Sequence, residues 1–116
     1  MAPTLLAEAL LPNVLAAEGK MVAITSRMGS IADSSGGYVA YRASKAALNA
    51  AWYALSRESA VPMVLFHPGW VQTDMGGPNA QIGPRESVAG MRRIIAGLTP
   101  EGSGAFLDYR GAPIRW

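Results

Sequence analysis

The chain has 116 residues, half of them hydrophobic and 16% charged, with ten basic and eight acidic side chains giving a net charge of +2, and no cysteine. Such a balance describes one folded domain of α/β type and excludes a disordered segment, a disulfide framework, thiolate metal sites and a cysteine nucleophile. His67 is the only histidine, which excludes a multi-histidine metal site, and the scattered charge, densest at "MRRI" (Met91 to Ile94), makes neither a nucleic-acid stripe nor a polybasic membrane anchor.

The first element read from the sequence is a helix. Leu5, Leu6, Ala9, Leu10, Leu11, Val14 and Leu15 recur at helical spacing, Pro3 and Thr4 suit its start and Gly19 its end. Glu8 and Glu18 interrupt the apolar run, no basic region precedes it, and it is too short to span a membrane. A buried helix is expected. "KMVAIT" (Lys20 to Thr25) is apolar without alternation, as a strand covered on both faces should be, and the Ser/Gly-rich Ser26 to Gly37 follows as a loop.

A second helix is expected from "GYVAYRASKAALNAAWYALS", Gly37 to Ser56, and a second buried strand from "PMVLFH", Pro62 to His67. The long Gly/Pro loop Pro68 to Pro84 precedes a helix from Arg85 to about Leu98, and "GAFLDYRG", Gly104 to Gly111, supplies a last strand and turn. The order α-β-α-β-α-β predicts a parallel sheet with helical crossovers, and ligands at the carboxyl ends of its strands, foremost at Thr25-Ser26 and His67-Pro68.

Tyr41 and Lys45 lie one helical turn apart, so both leave one face of the second helix, at the head of a stripe continued by Leu48, Trp52 and Leu55. An ammonium about 4 Å from a phenol, at an effective dielectric of about 20, favours the phenolate by up to about 4 kcal/mol. A tyrosine so placed is a candidate proton-transfer group. Taken alone, the pair equally describes a packed ring beside a lysine that reaches to water. A hydroxyl at Ser26, where a strand ends, is placed to bind a substrate carbonyl, or is simply a turn residue.

The combination "VAITSRMGSIADSSGGYVAYRASKAALNA" and "HPGWVQTDMGG" resembles the short-chain dehydrogenase/reductase family, and within it the C-factor and carbonyl-reductase-like branch, to which "GAFLDYRGAPIRW" is also similar. The resemblance implies the C-terminal half of a Rossmann-type doubly wound parallel sheet. It implies an NAD(P)-dependent oxidoreductase that moves hydride between nicotinamide and a small carbonyl or alcohol substrate. Tyr41 would be the acid/base and also a cofactor contact, Lys45 would favour its phenolate and hold the nicotinamide ribose, and Ser26 would polarise the carbonyl, with Ser30 the lesser candidate. Pro68 and Gly69 would bring the backbone close to the nicotinamide, and Val71 and Thr73 would bind its carboxamide or the pyrophosphate side. His67 is expected to be a satisfied strand-end residue without a catalytic role. Trp70 and Met75 are candidates to line the substrate side of the loop. A homodimer through the first two helices and a cytoplasmic location are further implications.

The chain departs from the family at its start. The Gly-rich loop of the T-G-x-x-x-G-x-G kind, the residue that selects NAD or NADP, and the N-A-G turn are not in this sequence, and Asn13 lies too far along to match the family's catalytic asparagine. Residues 1–116 therefore read as one partial NAD(P)-binding domain lacking the N-terminal Gly-rich half. The competing reading is a truncated, catalytically inactive remnant that acts as an interaction module or has no independent function.

Overall fold

The computed structural model describes residues 1–116. Its order is α1 (Ala2–Ala16), β1 (Met21–Ile24), a 3-10 turn (Arg27–Gly29), α2 (Val39–Glu58), β2 (Met63–His67), α3 (Pro84–Ala96), a second 3-10 turn (Pro100–Gly102) and β3 (Ala105–Asp108). The three strands form one parallel sheet in the order β1-β2-β3, with Met21 beside Met63 and Val64 beside Ala105. This is the expected α/β alternation, with helix ends displaced by a residue or two.

β2 explains why the sheet holds together. Met63, Val64, Leu65 and Phe66 are all fully buried, because this middle strand is covered on both faces. Met63 and Leu65 turn toward α1 and α2 and pack with Trp52, Leu55, Val61 and Phe106. Val64 and Phe66 turn the other way, where Met91 of α3 joins them and Ile94 and Ile95 close the cluster. Helices therefore cover both faces of the sheet, α1 and α2 on one and α3 on the other.

Two polar contacts hold α3 by its ends. Ser87 Oγ donates to the Pro68 carbonyl at 2.6 Å, and Lys20 Nζ donates to the carbonyls of Ile95 and Ala96 at 2.6 and 3.1 Å. The second contact places a cation on the C-terminal carbonyls of the helix, where it satisfies otherwise open acceptors and suits the helix dipole.

α1 corrects the expectation of a buried helix. Only Thr4 and Ala7 are buried along it, while Leu5, Leu6, Leu10 and Leu15 are 42 to 61% exposed. Its apolar residues go all round the helix, and this chain supplies only one surface, from β1 and α2, to cover them. The outer edge of β1 is open as well, with Ile24 about half exposed. No helix is long and apolar enough to cross a membrane.

At the end of β3 the buried carboxylate of Asp108 accepts from the Arg110 and Ala112 amides at 2.8 and 2.9 Å and from the Arg110 guanidinium at 3.2 Å. Burial alone raises this carboxyl, but the two amides and Arg110 outweigh it and hold it below its ordinary value of 3.8. Its stabilisation is therefore complete above that value and lost as the pH falls through the lower, folded one. Asp108→Asn should lower stability near neutral pH by about 1 to 3 kcal/mol and flatten the loss on going to about pH 2, as read from urea midpoints.

Candidate active site

A cleft of about 780 Å³ opens at the carboxyl ends of β1 and β2, walled by the 3-10 turn, the start of α2, the loop after β2 and the first turns of α3. Ser26, Tyr41, Lys45, Pro68, Gly69, Val71 and Thr73 all line it. Each arrives by a local rule. β1 ends at Ile24, and Ser26, in extended backbone, caps the 3-10 turn by accepting from the Met28 amide at 3.1 Å. Tyr41 and Lys45 come from the first and second turns of α2, with the Lys45 ammonium 5.6 Å from the centre of the Tyr41 ring. Lys45 is partly buried and Tyr41 41% exposed, so the phenol is open to a bound molecule.

The loop after β2 supplies the opposite wall. Gly69 has φ +86°, a left-handed turn that glycine makes at no steric cost, and it turns the chain abruptly at the strand end. Val71 then bridges to Ile82, and the Trp70 indole donates to the Gly76 carbonyl at 2.9 Å, so the loop is braced against itself. Thr73 Oγ1 accepts from the Gly76 amide at 3.2 Å. Trp70 and Met75 reach the same cleft, Met75 almost wholly exposed.

Ser30 is elsewhere. Its side chain is buried away from the cleft and accepts from the Asp33 amide at 3.1 Å, which makes it a turn residue. His67 departs from the expectation of a satisfied strand end, since its Nδ1 is buried with no hydrogen-bond partner. Burial foremost, and then the Arg27 charge, hold the imidazole below its ordinary value of 6.5, with Asp108 opposing. The neutral ring is favoured in the fold, so stability falls as the pH drops from 6.5 through the folded value. An NMR titration of this single histidine should give a midpoint below 6.5, and Arg27→Gln should raise it without reaching 6.5, because burial remains.

Sequence reasoning missed Arg27, Arg42 and Asp33 as part of the site. The cleft is lined by the three cations Arg27, Arg42 and Lys45 and by one anion, Asp33, which pairs with Arg27 and Arg115. Arg42 spends its guanidinium on Ser35 and the carbonyls of Gly36 and Gly37, steadying the loop ahead of α2. "SRMGSI" and "YRASK" do carry these arginines, but nothing in their spacing says that they turn toward the cleft.

Residues 1–82 match the model of the short chain dehydrogenase family. The chain belongs to that family. The C-signal protein of Myxococcus xanthus is 49% identical over 121 residues, an alignment covering 100% of this chain and 73% of that relative. The carbonyl reductase Sniffer of D. melanogaster superposes with a TM-score of 0.91 at 35% identity, over 98% of this chain and 52% of that one. An NADPH-bound carbonyl reductase from chicken fatty liver gives 0.88 at 38% identity, over 99% and 53%. The chain thus spans about half the length of the solved reductases it matches, and its sheet is of their Rossmann type.

Proposed function

We propose that the cleft is the nicotinamide and substrate end of an NAD(P)-dependent oxidoreductase site acting on a small carbonyl or alcohol. The observation that carries this reading is the meeting of Ser26, Tyr41 and Lys45 with the Pro68 to Thr73 loop at the strand ends. NADPH in the chicken reductase supports a nicotinamide cofactor here, with NAD and NADP both open.

The residues present suit that group at its ribose and nicotinamide end. Thr73 Oγ1 accepts from an amide, which leaves its hydroxyl hydrogen free to donate to a carboxamide or phosphate oxygen. The cationic lining suits an anionic cofactor. A bound nicotinamide supplies or accepts the hydride. Tyr41 gives a proton to the carbonyl oxygen as it becomes an alcohol, or takes it back in the reverse direction. Lys45, its ammonium 5.6 Å from the centre of the Tyr41 ring, would hold the ribose hydroxyls. Ser26, whose oxygen accepts from Met28, keeps its own hydrogen to donate to the substrate oxygen as charge develops there.

The test is a fluorescence titration of the chain with NADPH and with NADH, followed by oxidation of the bound cofactor with 4-nitrobenzaldehyde. Saturable binding and turnover are expected. Absence of binding at millimolar cofactor sinks catalysis by this chain alone.

A second reading, an interaction module, is favoured by the open edge of β1 beside the exposed leucines of α1. Its occupant would be a second copy, pairing β1 with β1 and covering α1. Light scattering on a sizing column should then report a dimer, and a cofactor-binding monomer would remove this reading.

A further inference from the structure

Asn49 is a polar residue in an alanine-rich helix, one turn beyond Lys45, and it is only 2% exposed. Its Oδ1 accepts from the Thr25 hydroxyl at 2.6 Å, a buried bond between residues 24 apart in sequence. Its Nδ2 is buried without a partner and faces Gly29: a Cβ built on Gly29 would fall 2.7 Å from that nitrogen and 3.0 Å from the Lys45 carbonyl carbon. The amide is therefore half satisfied, which costs stability at a buried site.

What the amide does gain is a fixed height. Thr25 is held on its main chain by the Phe66 carbonyl at 2.8 Å and on its side chain by Asn49. Ser26 comes next, and the turn it caps is closed by the Gly29 amide on the Ser26 carbonyl at 2.9 Å. Gly29 in turn lies against the backbone of α2 at Lys45. The Thr25–Asn49 bond and the Gly29 contact therefore clamp the segment carrying Ser26 onto the helix carrying Tyr41 and Lys45.

We infer that Asn49 is a positioning residue, setting the Ser26 hydroxyl relative to the Tyr41 and Lys45 pair through Thr25. The inference rests on the oxidoreductase reading for its consequence but not for its geometry, and the experiment separates the two. Asn49→Leu removes the bond, Thr25→Val removes it from the other side with little change of volume, and Thr25→Ser keeps it.

With NADPH and 4-nitrobenzaldehyde, Asn49→Leu should lower kcat by about 10- to 100-fold, the scale of a small misplacement, while leaving KM and the cofactor Kd nearly unchanged. In a Ser26→Ala background it should cost nothing more, because the group it places is gone. Thr25→Val should behave like Asn49→Leu, and Thr25→Ser should recover the loss. An equal penalty in both backgrounds would mean a general loss of structure and would overturn the inference.

Hydrogen exchange of the Met28, Gly29 and Ser30 amides, all held by the turn, supplies the second reading and needs no turnover. It should quicken in Asn49→Leu and Thr25→Val while the middle of α2 stays protected. If the wild-type chain proves inert with NADPH, the oxidoreductase reading fails and exchange alone decides: faster exchange at the turn upholds the positioning, and unchanged exchange overturns it. Should Asn49→Leu not fold, Thr25→Val and Thr25→Ser carry the same comparison.

Discussion

Tyr41→Phe should reduce turnover by about 10²- to 10⁴-fold, the usual worth of a positioned acid/base, while the far-UV spectrum and the urea midpoint stay close to wild type. The contrast follows from the structure. The ring is 41% exposed, and the packing that holds α2 in place belongs to Trp52, Leu55 and Asn49 further along the helix. Phenylalanine keeps the ring beside the Lys45 ammonium and removes only the hydroxyl. Cofactor titration should change little, because Lys45 and the Pro68 to Thr73 loop are untouched. A Phe variant that turns over as well as wild type would remove the tyrosine from the proposed chemistry, and one that unfolds would make it a structural residue.

The largest effect on stability is expected from Phe66→Ala. Phe66 is fully buried in the middle strand, in register with Ile24 on one side and Leu107 on the other, and packed with Val64 and Met91 beneath α3. Losing such a side chain costs about 3 to 5 kcal/mol in transfer and cavity terms, against a total of about 5 to 15 kcal/mol for an ordinary domain. The variant should be largely unfolded in mild urea or on modest warming. Ile24→Ala, on the half-exposed edge strand, should cost far less, so the ratio of the two urea-midpoint shifts checks the burial pattern directly.

Sequence periodicity revealed what each segment is more readily than what it touches. The unbroken apolar run Met63 to Phe66 is what a strand covered on both sides should look like, and it is one. The turn between Tyr41 and Lys45 likewise had to put both on one helix face. By contrast, α1 is apolar enough to suggest burial, and whether a helix is covered depends on the surface available to it. The orphaned Nδ1 of His67, the Arg27 charge that acts on that ring, and the Thr25–Asn49 bond all arise between segments that meet at the sheet ends. Pattern along one segment does not report such contacts. Only the asparagine left a trace, as a polar residue at helical spacing from Lys45.

α3, finally, acts as a tie-beam. One end is fastened by Ser87 to Pro68 at the floor of the cleft, the other by Lys20 at the threshold of β1. Neutralising Lys20 by acetylation should loosen the fastening at the C-terminal end of α3. One helix thus joins the Pro68 turn, which lines the cleft, to the residue that leads into β1.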